Sequence, residues 1–166
     1  PADHLLTMRF RLSGATYANT ALQVQFFDDV VERVEHLPGV TAAAVTYRIP
    51  AANQFPSSAR FQVEGRPPVP LARQPESDTN LVSRDFFKTL GGPLRAGRVF
   101  DKQDSPNSPD AVVINQAFAR KIFAGEDPVG RTVLMLHQPF KVIGVIGSRS
   151  WAAQPAPGDD QFDAIY

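Results

Sequence analysis

Hydrophobic and polar residues along the first 49 positions follow a strand, helix, strand pattern. Residues 5–12 alternate, with Leu6, Met8 and Phe10 on one side and polar residues between them, as in a half-buried strand. Residues 40–49 have the apolar composition of a second strand, and a proline follows them. The stretch therefore predicts a βαβ-like unit whose helix packs on a sheet.

The helix between these strands has a pronounced amphipathic pattern. Large apolar residues recur every three or four positions, beginning with Leu22, Phe26 and Val30. Thr20 and Gln23 match a capping box at the start of the helix. Leu37-Pro38-Gly39 is a stop signal, because proline cannot continue the hydrogen-bond ladder and glycine accepts a left-handed conformation. Burial of each large side chain of this stripe would contribute about 1.5–3 kcal/mol.

The rest of the chain predicts short strands and helices separated by turns. The predicted strands cover residues 60–65, 78–82, 111–114, 131–136, 140–146 and 162–166, and the predicted helices cover residues 83–90 and 115–123. Four prolines make residues 66–77 an extended surface connection. Residues 94–100 are expected to be irregular, and residues 148–160 are expected to form a loop. The fold class predicted from these elements is mixed α+β.

Composition excludes several classes of protein. Seventeen Lys and Arg balance 17 Asp and Glu, so the basic excess of a nucleic-acid module is missing. The absence of cysteine excludes disulfides, thiolate ligands and thiolate nucleophiles. No apolar run approaches the ~20 residues that a membrane helix needs. Because the chain starts at Pro1 without Met and ends in a strand pattern, we expect it to be a domain of a longer protein.

Catalytic and cofactor motifs are missing from the sequence. His4, His36 and His137 fall in three different predicted elements, without the spacing of metal ligands. The glycines of residues 91–98 end a predicted helix and therefore do not form a phosphate loop. The glycines of residues 144–147 follow a strand, but no helix pattern follows them. A dinucleotide site requires such a helix. We therefore expect no catalytic residue and no cofactor.

An acidic loop is the nearest approach to a metal site. Asp101, Asp104 and Asp110 lie in it together with Asn107. A calcium loop would have ligands at regular one-three-five spacing and a closing bidentate glutamate, and both are missing. The sequence therefore predicts no metal site.

A basic stretch between residues 84 and 102 is the candidate contact surface. Its cations, which outnumber the neighbouring acidic residues Asp85 and Asp101, are Arg84, Lys88, Arg95, Arg98 and Lys102. Such a stretch can bind an acidic partner or lipid headgroups, and it can equally be an ordinary solvated surface. Both interpretations stay open at the level of the sequence.

Ten segments, in their order and spacing, resemble one protein family. They are Phe26-Phe27, Leu37-Pro38-Gly39-Val40, 61–66, Val82-Ser83, Phe86-Phe87, Leu90-Gly91, 97–100, 112–115, 123–131 and 142–147. Together they resemble the extracytoplasmic core domain of MacB-like ABC transporter permeases. The variant at residues 64–68 is similar to permeases of acidobacteria.

The resemblance implies a domain inserted between the first two membrane helices of a permease, facing the periplasm or the cell exterior. It implies a βαβ porter-like lobe, residues 1–83 and 151–166, with a second α+β lobe, residues 84–150, inserted into it. The implied function is non-catalytic coupling of cytoplasmic ATP hydrolysis to export or other extracytoplasmic work, called mechanotransmission. The implied partners are the permease's membrane helices, an ABC ATPase, a periplasmic adaptor protein, the cargo and a second copy in a dimeric transporter. An extracytoplasmic ligand-binding or sensor domain is the alternative.

Overall fold

A computed structural model describes residues 4–47, 58–104, 108–135, 137–147 and 163–165. Its α-helices are α1 (Thr20–Glu35), α2 (Phe86–Leu90) and α3 (Gln116–Phe123). Its strands are β1 (Ser58–Val63), β2 (Glu76–Asn80), β3 (Leu94–Gly97), β4 (Ala111–Asn115), β5 (Thr132–Met135), β6 (Gln138–Ile146) and β7 (Asp163–Ile165). Short 3-10 turns cover Ala15–Ala18 and Leu71–Arg73. The predicted mixed α+β class is confirmed.

One sheet contains all seven of these strands, in the order β3-β6-β4-β7-β2-β1-β5. β5 also pairs with β6, so six strands close into a ring and β3 is attached to its outside. The length of β6 makes this possible, because residues 138–141 pair with β5 whereas residues 144–146 pair with β3. The pairs β2–β7 and β4–β6 are parallel, and the other pairs are antiparallel.

Two apolar clusters cover the two sides of this sheet. The α3 core contains Phe61, Val63, Val112, Ile114, Phe118, Phe123, Val133, Met135, Val142 and Val145. The α2 core contains Phe86, Phe87, Val113, Ile143 and Ile146. Successive residues of β4 alternate between the clusters, so its apolar run is buried on both sides, as a central strand requires. The phenylalanines of α2 and α3 thus belong to the core.

β3 is a strand where the sequence predicted irregular backbone. Its four residues are all exposed, so it has no alternation of buried and exposed side chains from which a strand could be predicted. Backbone pairing with β6 forms it instead, and just beyond its end the amide of Arg98 donates to the carbonyl of Ile143 at 2.9 Å. The two chains approach so closely that a Cβ on Gly97 would overlap the Ile143 carbonyl oxygen, and one on Gly144 that of Arg98.

The predicted βαβ unit over residues 5–49 does not form among the described residues. Residues 5–12 belong to no strand there. Of residues 40–47, only Thr46 makes a strand-type pair, with Val82, and residues 48–49 lie outside the described ranges. α1 forms as predicted but buries none of its residues, and packing on a sheet is not seen within the described ranges. The apolar pattern was correct for the helix but did not identify what the helix packs against.

The helix α1 is capped by a different residue from the one predicted. Asn19 is the N-cap, and its side-chain oxygen accepts a hydrogen bond from the amide of Ala21 at 2.8 Å. Thr20 is already helical, and the side-chain amide of Gln23 donates to the carbonyl of Tyr17. The capping-box prediction is therefore wrong. Asn19 directly precedes Thr20, and asparagine is at least as good a cap as threonine. The helix therefore begins one residue earlier than the capping box predicts.

Several other boundaries shift while the elements stay. β2 begins at Glu76, inside the proline-rich connection, and β6 begins at Gln138, because Gln138 already pairs with Met135. β7 confirms the predicted last strand, and the loop predicted for residues 148–160 lies outside the described residues. Strands from both predicted lobes share one sheet, and the division into lobes stays a prediction.

Candidate partner-binding surface

α2 and β3 position the basic residues that the sequence singled out. Lys88 lies on α2, which is anchored by the buried side chains of Phe86 and Phe87. Gly91 ends α2 in the left-handed region, with φ of 68°, and its amide donates to the carbonyl of Phe87 at 2.9 Å. The chain then turns into β3, which carries Arg95. The remaining three cations lie just before α2 (Arg84) and just after β3 (Arg98 and Lys102).

Arg98 forms a two-pronged ion pair with Asp104. Its Nη1 lies 2.6 Å from Oδ2 of Asp104, and its Nη2 lies 2.8 Å from Oδ1. Asp101 lies farther from the guanidinium, at 3.5 Å. The hydrogen bond from Arg98 holds the pKa of Asp104 below its ordinary value, and the nearby charge of Arg84 acts in the same direction. The hydrogen bond to Asp104 raises the pKa of Arg98. The charge of Arg98 is therefore largely balanced within the fold.

The loop that follows Arg98 is held by its own carboxylates. The amide of Asp101 donates to Asp104 Oδ2 at 2.8 Å, and the amide of Gln103 donates to Asp101 Oδ1 at 2.7 Å. These carboxylates are therefore engaged by an arginine and by backbone amides. In the part of the chain that the structure describes, no three His, Cys, Asp or Glu residues are grouped closely enough to hold a metal ion.

The other cations of the stretch point into solvent. Arg84, Lys88, Arg95 and Lys102 are all exposed, whereas Arg98 is half-buried. Among the described residues, Lys88, Arg95 and Lys102 take part in no ion pair. The structure thus brings Arg84 and Arg98 together around Asp104 and leaves three further positive charges available at the surface around α2 and β3.

Sequence reasoning missed the structural role of Arg66. Its Nη1 donates to the carbonyl of Ile122 near the end of α3 at 2.7 Å, and its Nη2 lies 3.3 Å from Glu126. The guanidinium also lies over the ring of Phe123, 5.6 Å from its centre. The segments 61–66 and 123–131, both part of the family resemblance, therefore meet at the end of α3. The sequence signal for this contact was that both segments take part in the family resemblance.

The histidines contribute no site in the described structure. His36 ends α1, where its Nδ1 lies 2.6 Å from the carbonyl oxygen of Glu32. His137 occupies the β5–β6 turn with φ of 65°, and His4 is exposed near the start of the chain. Within the described ranges no helix is long and apolar enough to cross a membrane.

Comparison with known proteins reveals similarity to one family of transporters. The family profile described as MacB-like periplasmic core domain matches residues 3–165. The macrolide export ATP-binding/permease protein MacB of Neisseria gonorrhoeae FA 1090 is 40% identical over 65 residues, which are 39% of this chain and 10% of the relative. MacB of Aggregatibacter actinomycetemcomitans is 32% identical over 74 residues, 45% of this chain and 12% of the relative. The chain thus spans about a tenth of the length of these curated relatives.

Solved structures show the same fold. The periplasmic region of MacB from Actinobacillus actinomycetemcomitans aligns with a TM-score of 0.56 at 19% identity, covering 83% of this chain and 53% of that one. The extracellular domain of the transporter YknZ from Gram-positive bacteria aligns with a TM-score of 0.56 at 16% identity, covering 84% of this chain and 61% of that one. Because the profile match extends over nearly every residue, the chain belongs to the MacB-like periplasmic core domain family and is a periplasmic domain of a MacB-like ABC transporter permease.

Proposed function

We propose that this domain is a non-catalytic coupling element that converts ATP hydrolysis in a cytoplasmic ABC ATPase into extracytoplasmic movement driving export. The observation that carries the proposal is the family match over residues 3–165, which associates this stretch with a permease. In such a protein the ATPase and this domain lie on opposite sides of the membrane. Energy can therefore reach the domain only through the membrane helices that connect them.

The packing of the sheet supports a mechanical role. The α3 core and the α2 core cover its two sides, and β6 joins three neighbouring strands. Closely packed interiors have low compressibility and transmit strain. A displacement applied at one end of such a sheet would move the surface around α2 and β3 with it.

We further propose that the exposed cations around α2 and β3 contact an acidic surface of a periplasmic adaptor protein. Arg84, Lys88, Arg95 and Lys102 would supply the charge that meets the partner. Arg98 would act indirectly, because its ion pair with Asp104 fixes the loop that carries Lys102. Charges at the rim of an interface set association rate and partner choice.

The test uses the complete transporter with its ATPase and adaptor, expressed in cells that lack their own macrolide exporters. The double variant Lys88→Glu/Arg95→Glu reverses two exposed charges of this surface. We expect it to weaken capture of the adaptor about tenfold, since reversal of rim charges costs on the order of 1–2 kcal/mol. The name of the relatives suggests a macrolide as the cargo, so we propose that resistance to a macrolide should fall in parallel.

The matched control is Arg73→Glu, which reverses an exposed charge on the 3-10 turn Leu71–Arg73. It should bind adaptor and confer resistance like the unaltered transporter. Equal adaptor capture by the double variant and the control would contradict the proposal that this surface contacts the adaptor. Full resistance in the double variant, combined with saturable binding of a small molecule to this domain, would favour the ligand-binding alternative.

A further inference from the structure

A short antiparallel crossing, made of residues 45–47 and 81–83, connects the part of the chain that carries α1 to the part that forms the sheet. Thr46 and Val82 are its central partners, and both are half-buried. Within the described ranges it is the one strand-type pairing that residues 4–47 make. Any displacement that passes along the pairing of strands between these two parts therefore passes through this crossing.

One side of the crossing is held by a backbone bond and a side-chain bond. The amide of Tyr47 donates to the carbonyl of Leu81 at 2.8 Å. The side-chain amide of Asn80 donates to Oγ1 of Thr46 at 2.9 Å. Two neighbouring residues of each segment are thereby fixed to the other segment.

On the other side, Ser83 uses its hydroxyl where a strand would use its carbonyl. The amide of Ser83 donates to the carbonyl of Val45 at 2.8 Å, and in a regular antiparallel pair the Ser83 carbonyl would accept the Val45 amide in return. That carbonyl instead accepts the amide of Phe86 at 3.1 Å, in the turn that leads into α2. The amide of Val45 donates to Oγ of Ser83 at 2.9 Å. One serine therefore completes the crossing and begins the approach to α2.

Apolar contacts fix the crossing to the α2 core. Ala44, which directly precedes the crossing, and Val82 within it both pack against this cluster. Phe86 and Phe87, the buried residues of α2, belong to the same cluster. Lys88 comes next on α2 and is exposed. The crossing and the helix that carries this cation therefore rest on one core.

A tight turn is all that separates α1 from the segment that enters the crossing. The amide of Leu37 donates to the carbonyl of Val34 in the last turn of α1, and the amide of Val40 donates to the carbonyl of Leu37, both at 3.1 Å. Gly39 has φ of 84°, a conformation that glycine adopts without strain. A connection this short and hydrogen-bonded limits independent movement of α1 and the crossing.

Coupling between distant parts of a protein is carried by packed side chains, hydrogen bonds and rigid elements. The crossing combines these features between α1 and α2. We infer that it is a rigid joint, held closed by the Ser83 hydroxyl, that carries displacement between α1 and the surface around α2 and β3. Ser83 is thus a positioning residue. The inference rests on the proposed coupling function and specifies where within the domain the movement passes.

Hydrogen exchange of the full-length permease tests the joint without cargo or adaptor. Ser83→Ala removes the acceptor of the Val45 amide, so we expect the peptide covering residues 43–47 to exchange at least about fivefold faster, while peptides of α3 keep their rate. Ser83→Thr retains the hydroxyl and should exchange like the unaltered permease. The matched control is Ser58→Ala, which removes a hydroxyl that donates to Glu76 and should leave residues 43–47 unchanged. An unchanged rate in Ser83→Ala, or an equal rise in α3, would overturn the role of Ser83.

A disulfide across the crossing distinguishes a rigid joint from a hinge. Antiparallel partners that lie between two hydrogen-bonded pairs, as Thr46 and Val82 do, have Cα atoms about 4.5 Å apart, within the range of a disulfide. Thr46→Cys/Val82→Cys can therefore be closed by oxidation, and these 166 residues contain no other cysteine. In the complete transporter with its ATPase and adaptor, we expect the oxidised and reduced forms to export the same amount of the proposed macrolide cargo per ATP. Loss of export on oxidation, reversed by a reductant, would identify a hinge and contradict the inference.

The same disulfide should rescue the loss of the hydroxyl. We expect Ser83→Ala to lower export per ATP at least about twofold, and oxidation of Thr46→Cys/Val82→Cys/Ser83→Ala to restore it. If export per ATP responds to Lys88→Glu/Arg95→Glu but not to Ser83→Ala, the joint is wrong and the coupling function stands. If it responds to neither variant, the coupling function fails and transmission through the joint fails with it. The exchange rates then still report whether Ser83 holds the crossing.

Discussion

Gly144 has no room for a side chain, because a Cβ there would overlap the carbonyl oxygen of Arg98. The obstacle is backbone and cannot rotate away. We expect Gly144→Ala to lower the free energy of unfolding by about 2–3 kcal/mol, as overpacking of a dense site does. Urea denaturation of the purified protein measures this change.

Gly65→Ala is the matched control, because Gly65 has φ of 80° but open space around its Cα. It should cost only the backbone strain of a left-handed alanine, about 1 kcal/mol. If Gly144→Ala unfolded at the same urea concentration as the unaltered protein, the close crossing of β3 and β6 would be wrong.

The ion pair between Arg98 and Asp104 gives the protein a pH-dependent contribution to stability. The pKa of Asp104 is lower in the folded state, so the folded state binds fewer protons than the unfolded chain. The contribution is fully present above the ordinary aspartate pKa of about 4 and is lost as pH falls through the lowered folded pKa. We expect Asp104→Asn to lower the free energy of unfolding by about 1 kcal/mol at pH 7. This value allows for the partial exposure of Arg98.

Thermal unfolding of Asp104→Asn and the unaltered protein between pH 7 and pH 2.5 measures this dependence. The difference between them should shrink steadily below about pH 4. Asp110→Asn, at an exposed position, should show no comparable difference at pH 7. A difference for Asp104→Asn that stays constant down to pH 2.5 would contradict the role of the pair.

At the scale of elements, local signals predicted α3 well. Asn115 ends β4 and its side chain accepts a hydrogen bond from the amide of Phe118 at 2.8 Å, at the start of the helix that the sequence predicted. Both the cap and the apolar positions of α3 are local, so the sequence alone specified them. β3 could not be predicted in this way, since it depends on a distant segment, β6, and on the glycines that let the two backbones meet.

The N-terminal segment illustrates the opposite error. Its alternation predicted a strand, but a strand also needs a neighbour to pair with, and the described chain offers none to residues 5–12. Similarly, the stretch of basic residues was visible in the sequence, whereas the ion pair that distinguishes Arg98 from the other four was not. Asp104 lies six positions further on in a turn that only the folded backbone reveals.

Two asparagine caps provide a comparison between a packed helix and an exposed one. Asn115 is buried at the start of α3, and Asn19 is exposed at the start of α1. We expect Asn115→Ala to lower the free energy of unfolding by about 2 kcal/mol and Asn19→Ala to lower it by less than about 1 kcal/mol. The difference arises because the exposed backbone amide at the start of α1 can bond to water after the cap is lost. Urea midpoints of the two variants check this order, and the reverse order would contradict the assignment of the packed core to α3.

At the scale of the whole molecule, a net charge of zero conceals a separation of charge. The surface of α1 carries the exposed acidic residues Asp28, Asp29 and Glu32, whereas the surface around α2 and β3 carries exposed cations. A net charge of zero is therefore compatible with local surfaces of both signs. This distribution fits a domain that contacts other proteins of a transporter.

We have proposed that the domain couples ATP hydrolysis to export without taking part in the chemistry. The most direct measurement uses a macrolide as the proposed cargo and determines the amount exported per ATP hydrolysed by the complete transporter, reconstituted in vesicles with its adaptor. For Lys88→Glu/Arg95→Glu we expect ATP hydrolysis to stay within about twofold of the unaltered transporter while export per ATP falls about tenfold. An unchanged ratio, or a loss of ATP hydrolysis that fully explains the loss of export, would contradict it.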